Sequence, residues 1–320
     1  MTTHHDSPFS HFAEQSLAGR VAWVVGATRG TGRAIALDLA RAGAFVWCTG
    51  RSTSAKPSDY GRAETIDGTA ELIRQAGGNA EAIVCDHGDP DQIGRVVDRI
   101  DDEHGRLDIL VDDIGGEAYV SWGEKFWESD FEAGMRLIRA GLLTHLATAH
   151  AALPLVTSTP GGLVVEITDG TKDYNDTHFR DSVWLDLTKT AVSRFAFALG
   201  HELRKAGTTA VAITPGWLRS EMMLDGFSTS EETWMGDALD PERELPPVDF
   251  AISESPHLLG RSVVALAADP ERNRFTTRTL SSFALASTYG FDDVDGSRPD
   301  SWGYMTAREE HGQADANGFR

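Results

Sequence analysis

Cysteine is nearly absent from the 320-residue chain, with only Cys48 and Cys85 present. That scarcity excludes a disulfide framework. Each of the two closes an apolar run that reads as a strand, so burial explains them better than chemistry. Basic residues are few beside acids, 29 against 49, for a net charge of −20. They form no cluster, so neither nucleic acid nor an anionic membrane is expected as a partner, because both attract Lys and Arg. No apolar run approaches the ~20 residues of a membrane span, and the opening MTTHHDSPFSHFAEQ lacks the basic and apolar regions of a signal peptide. A cytoplasmic protein with a small-molecule ligand is the expectation, and no metal ligand is assigned.

What is present is a chain with 41% hydrophobic residues, enough for a full core in one domain. From residue 20, strand-like and helix-like segments alternate: Arg20 to Val25, Thr31 to Ala42, Ala44 to Thr49, Gly61 to Ala76, Ala80 to Cys85, Pro90 to His104 and Leu107 to Val111. The rhythm continues through a helix near 128–152, a strand at Gly162 to Ile167, a helix near 181–206, a strand at Thr208 to Thr214, a helix from Pro256 to Ala268 and a strand near Thr279 to Leu285. Such alternation predicts right-handed βαβ crossovers and an α/β, Rossmann-type, doubly wound parallel sheet. Residues 217–254 hold several acids, Pro241, Pro246 and Pro247 and no sustained apolar period, and read as a mobile insertion. The expected division is a tail at 1–17, a domain at 18–290 and a C-terminal extension at 291–320 that ends in a solvated tail.

The segment Val25-Gly26-Ala27-Thr28-Arg29-Gly30-Thr31-Gly32 follows the first strand and opens the next helix. This is the context of a dinucleotide fingerprint: glycines let the backbone approach a pyrophosphate, and the helix N-terminus supplies N–H groups and partial positive charge. A tight strand-to-helix turn alone would use the same glycines. The second strand ends Thr49-Gly50-Arg51-Ser52, with no carboxylate for an adenosine 2′-hydroxyl. Arg51 and Arg29 suit a 2′-phosphate instead, which predicts NADP (NADPH) over NAD.

In motif and order the chain resembles the short-chain dehydrogenases/reductases over roughly residues 18–290. The GATRGTG loop is similar to the family's TGxxxGxG, Asp86 to the adenine-contacting Asp after the third strand, Asp112-Asp113-Ile114-Gly115 to NNAG, and Pro215-Gly216 to the PG motif beside the nicotinamide. Lys189 stands where the family has the lysine of YxxxK. The resemblance implies cofactor contacts at Gly26, Thr28, Arg29, Gly30, Thr31, Gly32, Arg51, Ser52, Asp86, Gly115, Lys189, Pro215, Gly216 and Ser220. It also implies a homodimer or homotetramer built on the helices near 128–152 and 181–206. The ending, from Gly260-Arg261 through Gly290-Phe291-Asp292-Asp293, resembles a branch of the family with an extended C-terminus.

Departures from the pattern fall on the catalytic groups. The tyrosine position is Leu185, the serine position Asp169 and the asparagine position, by best alignment, Ile138. Hydride transfer to a carbonyl makes an alkoxide that needs a proton, which a hydrocarbon cannot give. Asp169 is the leading replacement, able to act as acid or base according to whether burial or Lys189 dominates its environment, and equally able to be a loop residue bonding its own backbone. Asp186, Tyr174 and His178 are weaker alternatives. Tyr119, Trp122, Phe126, Trp127, Trp217, Met222 and Met223 are expected to line an apolar substrate cleft or an ordinary core. Three functions follow: an NADP(H)-dependent oxidoreductase on an apolar carbonyl or alcohol with a non-standard proton relay; a redox-neutral dehydratase, isomerase or cyclase using Asp169; or a non-catalytic dinucleotide-binding partner.

Overall fold

A computed structural model describes residues 16–58, 60–312 and 314–320. Seven parallel strands form one sheet in the order β3-β2-β1-β4-β5-β6-β7. They are β1 (Val21–Val25), β2 (Phe45–Gly50), β3 (Asn79–Val84), β4 (Ile109–Asp112), β5 (Leu163–Ile167), β6 (Thr209–Thr214) and β7 (Thr279–Ser281). Alternate residues of β1 serve opposite faces: Ala22 and Val24 enter one core layer, Trp23 and Val25 the other. On the first face lie α1 (Gly30–Arg41), α2 (Ile66–Gln75) and α10 (Pro256–Ala268). On the second lie α3 (Pro90–His104), α5 (Thr144–Ser158) and α7 (Val183–Glu202). The predicted doubly wound single domain is therefore the observed one, with its topological switch between β1 and β4, where such sheets open a binding crevice.

Local chemistry explains the boundaries. Asp89 caps α3 through the N–H groups of Asp91 and Gln92, and Pro90 occupies the first turn. Thr65 accepts from Gly68 N–H, so α2 begins at Ile66, later than the expected Gly61. Asp130 accepts from Glu132 and Ala133, opening α4 (Phe131–Ile138), which runs through a π-turn at Arg139–Leu143 into α5. This continuous stretch, Phe131–Ser158, spans 28 residues and has the length and apolar composition of a membrane span, which the sequence reading did not find. In the fold it lays Ala149, Ala152 and Val156 against the sheet.

Four expectations need correction. The last strand stops at Ser281, because the Ser281 hydroxyl accepts Ala284 N–H and starts α11 (Ser282–Tyr289). The 217–254 segment is not an unstructured insertion. Two short helices, α8 (Glu221–Gly226) and α9 (Trp234–Leu239), and a 3₁₀ turn at Val248–Ile252 gather Trp234, Phe250, Trp217, Met223 and Phe227 into their own apolar cluster. The C-terminal extension, expected to end in a solvated tail, is tied back to the domain up to its last residue. Phe291, Asp293, Trp302 and Tyr304 are buried, α12 (Ser301–His311) packs back, and Arg320 donates to the carbonyl oxygens of Ala251 and Ser253. The N-terminal boundary also moves: Leu17 is buried and its N–H bonds Ala42 O at 2.7 Å, whereas residues 1–15 of the expected tail lie outside the described residues. Both cysteines are buried free thiols, as expected. The remaining short helix, α6 (Lys172–Asn175), lies in the loop after β5.

Candidate cofactor and active site

The switch-point crevice begins at Gly26, which has φ +85° and whose hypothetical Cβ would lie 2.7 Å from Asp113 O. Only a bare residue lets the loops after β1 and β4 meet this closely. A Cβ on Gly32 would fall 2.4 Å from Gly26 O, so the first turn of α1 nests directly on the loop. Thr28 is buried, and Thr31 Oγ1 donates to Asp113 Oδ2 at 2.6 Å. Burial pushes the Asp113 carboxyl up to about 7, against the pull of that bond and of Lys189. The α1 N-terminus is already engaged by an anion from this chain: Gly30 N–H donates to Glu221 Oε2 at 3.0 Å, with Arg33 Nη1 3.9 Å from the other oxygen. Ser220, also singled out from sequence, is buried and caps α8 just before Glu221.

Arg29 extends from the glycine loop over Tyr60, bonds Ser58 Oγ at 2.7 Å and lies 3.7 Å from Glu64. Arg51 is exposed at the end of β2, where its charge reaches the Tyr60 hydroxyl, and Ser52 O accepts the Ile66 N–H. Arg29 thus sits over the Tyr60 ring, and Arg51 acts on the same residue through its charge. Asp86 is exposed and accepts Gly88 N–H at 2.9 Å, which fixes the turn after β3.

At the other end of the crevice, Lys189 on α7 is buried and its Nζ bonds the Glu117 carboxylate. Glu117 comes from a single 3₁₀ turn, Glu117–Tyr119, just after Gly115 and Gly116. Desolvation around its inner end would raise its pKa, but Lys189 holds it below the usual carboxylate range even though half of the side chain stays exposed; reciprocally, Glu117 outweighs burial and keeps Lys189 raised. Sequence reasoning did not single out Glu117. The only signal was an acid two residues beyond the NNAG-like segment. Asp169, expected beside Lys189, contributes to its electrostatics but spends its carboxylate on Arg180 Nη2 at 2.6 Å. It is therefore an ion-pair residue rather than an Asx-type loop residue.

Leu185 is 2% exposed and packs with Leu137, Trp184, Tyr119 and Ile138, so the residues expected at the tyrosine and asparagine positions lie in one hydrocarbon cluster. Tyr174 and His178 stack on each other and both contact Glu309 of α12. Asp186 Oδ1 is buried without a hydrogen-bond partner. Of the aromatic set, Trp122, Phe126 and Trp127 are exposed in the segment before α4, whereas Trp217 and Met223 belong to the 217–254 cluster. Pro215 O accepts Trp302 Nε1–H, and Gly216 N–H donates to Glu254 Oε2 at 3.0 Å, which ties the PG turn to the C-terminal extension and to the end of the insertion.

Sequence reasoning also missed a buried cluster beneath the crevice. Asp112 and Glu166 stand in register on β4 and β5, and His145 of α5 lies between them. His145 Nδ1 meets Glu166 Oε2 at 2.6 Å and Nε2 meets Ile114 O at 2.9 Å. Both oxygens are acceptors, so the ring donates at both nitrogens as an imidazolium. Burial opposes that charge, but Asp112 and Glu166 prevail and raise His145 to about 9; burial raises Asp112 to about 7.

A parallel sheet with a glycine turn at its switch point, and a buried lysine on a helix packed against that sheet, is the framework of a dinucleotide-dependent α/β class. The chain belongs to the short-chain dehydrogenase family, whose model matches residues 20–230. It is 33% identical over 285 residues to mouse dehydrogenase/reductase SDR family member 1, covering 88% of this chain and 85% of that protein. The human protein of the same name is 30% identical, covering 87% and 84%. Among solved structures, a variant of actinorhodin polyketide ketoreductase with NADPH is similar at TM-score 0.65 and 22% identity, covering 84% of this chain and 97% of that one. A Burkholderia cenocepacia short-chain dehydrogenase in complex with NADP is similar at TM-score 0.63 and 20% identity, covering 83% and 97%. The family assignment supports oxidoreductase activity and a nicotinamide dinucleotide cofactor.

Proposed function

We propose that this protein is an NADP(H)-dependent oxidoreductase acting on an apolar carbonyl or alcohol through a non-standard proton relay. The observation that carries the reading is the convergence, in one crevice, of a turn that tolerates no Cβ at Gly26 or Gly32, the α1 N-terminus, Arg29 over Tyr60 with the Arg51 charge acting on the same residue, and Lys189. These residues fit a phosphorylated dinucleotide: backbone N–H groups for the pyrophosphate, and Arg29 and Arg51 for a 2′-phosphate. Lys189 would hold the nicotinamide ribose. When bound, the cofactor supplies or accepts hydride. The likeness to structures with NADPH and NADP supports the same preference.

Exposed Trp122, Phe126 and Trp127 offer an apolar approach next to Trp184 and the Leu185 cluster. Asp169 is held in an ion pair with Arg180 Nη2 at 2.6 Å. Self-association through α5 and α7 is part of the proposal, supported by exposed Leu143, Leu146 and Leu187 on those helices and the turn before them.

The test is titration with NADPH and NADH, followed by nicotinamide fluorescence, in wild type and Arg51→Ala. Tighter NADPH than NADH binding, with the difference reduced by the substitution, is expected. Equal affinity for both nucleotides, unchanged in Arg51→Ala, would remove the phosphate preference, and absence of binding would remove the redox reading.

A further inference from the structure

We propose that Glu117 is the positioning and proton-supply partner of Lys189, and that this pair, in place of a tyrosine, delivers the proton to the substrate oxygen; the inference rests on the reductase reading above.

Four observations converge on it. Leu185, one turn before Lys189, is a buried hydrocarbon with no proton to give. Asp169 is committed to Arg180. Lys189 is buried, but the Glu117 side chain bonded to it is 51% exposed, so the pair has one dry end and one wet end. Finally, the Glu117 carboxylate lies across Gly115: a Cβ there would come within 1.8 Å of Oε2. A side chain at residue 115 would displace the end of Glu117 from this position, which couples the NNAG-like turn to the ion pair.

The charged groups facing Lys189 are Glu117 from the 3₁₀ turn, Asp113 from the end of β4 and Asp169 from the end of β5. Tyr60 and Tyr119 adjoin Glu117. All three carboxyl groups favour the ammonium form, and Glu117 contributes most among them.

In the reduction, the carbonyl carbon gains the hydride and the C=O π pair becomes an alkoxide lone pair. A Lys189 N–H bond then breaks as its proton forms the O–H bond. The neutral amine recovers a solvent proton across the exposed Glu117 carboxylate. The sum is carbonyl plus reduced cofactor plus one proton, giving alcohol plus oxidised cofactor. Oxidation runs the same path backwards.

The experiment is competitive trace labelling with acetic anhydride, read at Lys189 by mass spectrometry across pH, in wild type, Glu117→Gln and Glu117→Asp, each with and without NADPH. Loss of a contacting opposite charge shifts a pKa by about 1–3 units. The Lys189 labelling midpoint is therefore expected to fall by that much in Glu117→Gln and to return towards wild type in Glu117→Asp, with Lys205 as the unaffected internal standard. Reduction of an apolar diketone, benzil, by NADPH should show the alkaline limb of kcat moving to lower pH in Glu117→Gln by the same amount. An NADPH-binding protein whose Lys189 midpoint ignores Glu117→Gln overturns this inference alone. A wild type that binds no NADPH overturns the reductase reading and the proton role together.

Discussion

Glu221→Gln should tighten NADPH binding, although it removes a hydrogen-bonding carboxylate. In the structure, Glu221 Oε2 accepts Gly30 N–H at 3.0 Å, so the insertion holds an anion on the helix terminus that a pyrophosphate would use. A second latch, Arg62 Nη1 to Asp225 Oδ2 at 2.8 Å, keeps α8 over the same crevice. A hydrogen bond to a charged acceptor contributes about 1.5–3 kcal/mol, and a neutral one about 0.5–1.5 kcal/mol. The Gln amide oxygen can still accept from Gly30, so the closed arrangement loses about 1 kcal/mol. The Arg33 contact, at 3.9 Å between partly exposed groups, adds little. Because cofactor affinity is reduced by the fraction of protein held in the competing state, about 1 kcal/mol corresponds to about fivefold tighter NADPH where the closed state dominates. Fluorescence titration at fixed ionic strength gives the dissociation constant. Glu242→Gln, an exposed acid on the same insertion, controls for net charge. Unchanged or weaker binding in Glu221→Gln relative to that control would refute the idea that Glu221 competes with phosphate.

Three further outcomes follow from the packing and the buried charges. His145 is raised from 6.5 to about 9, so its contribution is complete below pH ~6.5 and is lost as pH rises through about 9. Asp112, raised to about 7, also binds a proton in the folded state that the unfolded chain releases above pH ~4. Both effects have the same sign, so Tm should fall between pH 6 and 9 in scanning calorimetry, and His145→Gln should flatten that slope; a wild-type Tm that rises over this range contradicts the assigned charges. Phe250→Ala in the 217–254 cluster should cost about 3–5 kcal/mol in urea unfolding, whereas a change below ~0.5 kcal/mol would return the segment to a mobile loop. Gly26→Ala places a Cβ 2.7 Å from Asp113 O at φ +85°, and backbone strain of this kind costs about 1–3 kcal/mol; the expected lower Tm and loss of NADPH binding are checked by calorimetry and titration.

Legibility in the sequence tracked the kind of constraint at work. The glycine loop was readable because a bare, positive-φ residue and a following helix leave a fixed pattern, and the start of α10 was readable because Pro256 opens a clear apolar run. Lys189 was readable from its place in an ordered series of motifs. The 217–254 cluster was not, because Trp217, Met223, Phe227, Trp234 and Phe250 come from short helices and turns with no single period to detect. Glu117 escaped for a related reason. Its partner is 72 positions away on α7, and no local spacing rule links a 3₁₀ turn to a helix across a crevice. In sequence His145 is a polar residue within a helix of mostly apolar composition, and the register of Asp112 with Glu166 shows why it is there.

The departures from the family pattern are not independent losses, and their grouping argues for a rebuilt site rather than an eroded one. Leu185 and Ile138 fill one cluster, so replacing the tyrosine and the asparagine together removes two polar groups from the same apolar volume and leaves neither as an unpaired buried polar group. Conversely, the two acids that replace the amide pair each have a partner. Thr31 and Lys189 act on Asp113; His145 acts on Asp112. Random loss would leave buried charges without partners at a cost of several kcal/mol each. Under the proposal, the polar groups that act on Lys189 come from the β4 loop, at Asp113 and Glu117, rather than from the α7 turn at Leu185. If that grouping is functional, Glu117→Gln and Asp113→Asn should be non-additive at Lys189. Their combined shift in its labelling midpoint should differ from the sum of the single shifts. Strict additivity would mean that the two carboxyl groups act separately, and the case for one rebuilt proton site would fail.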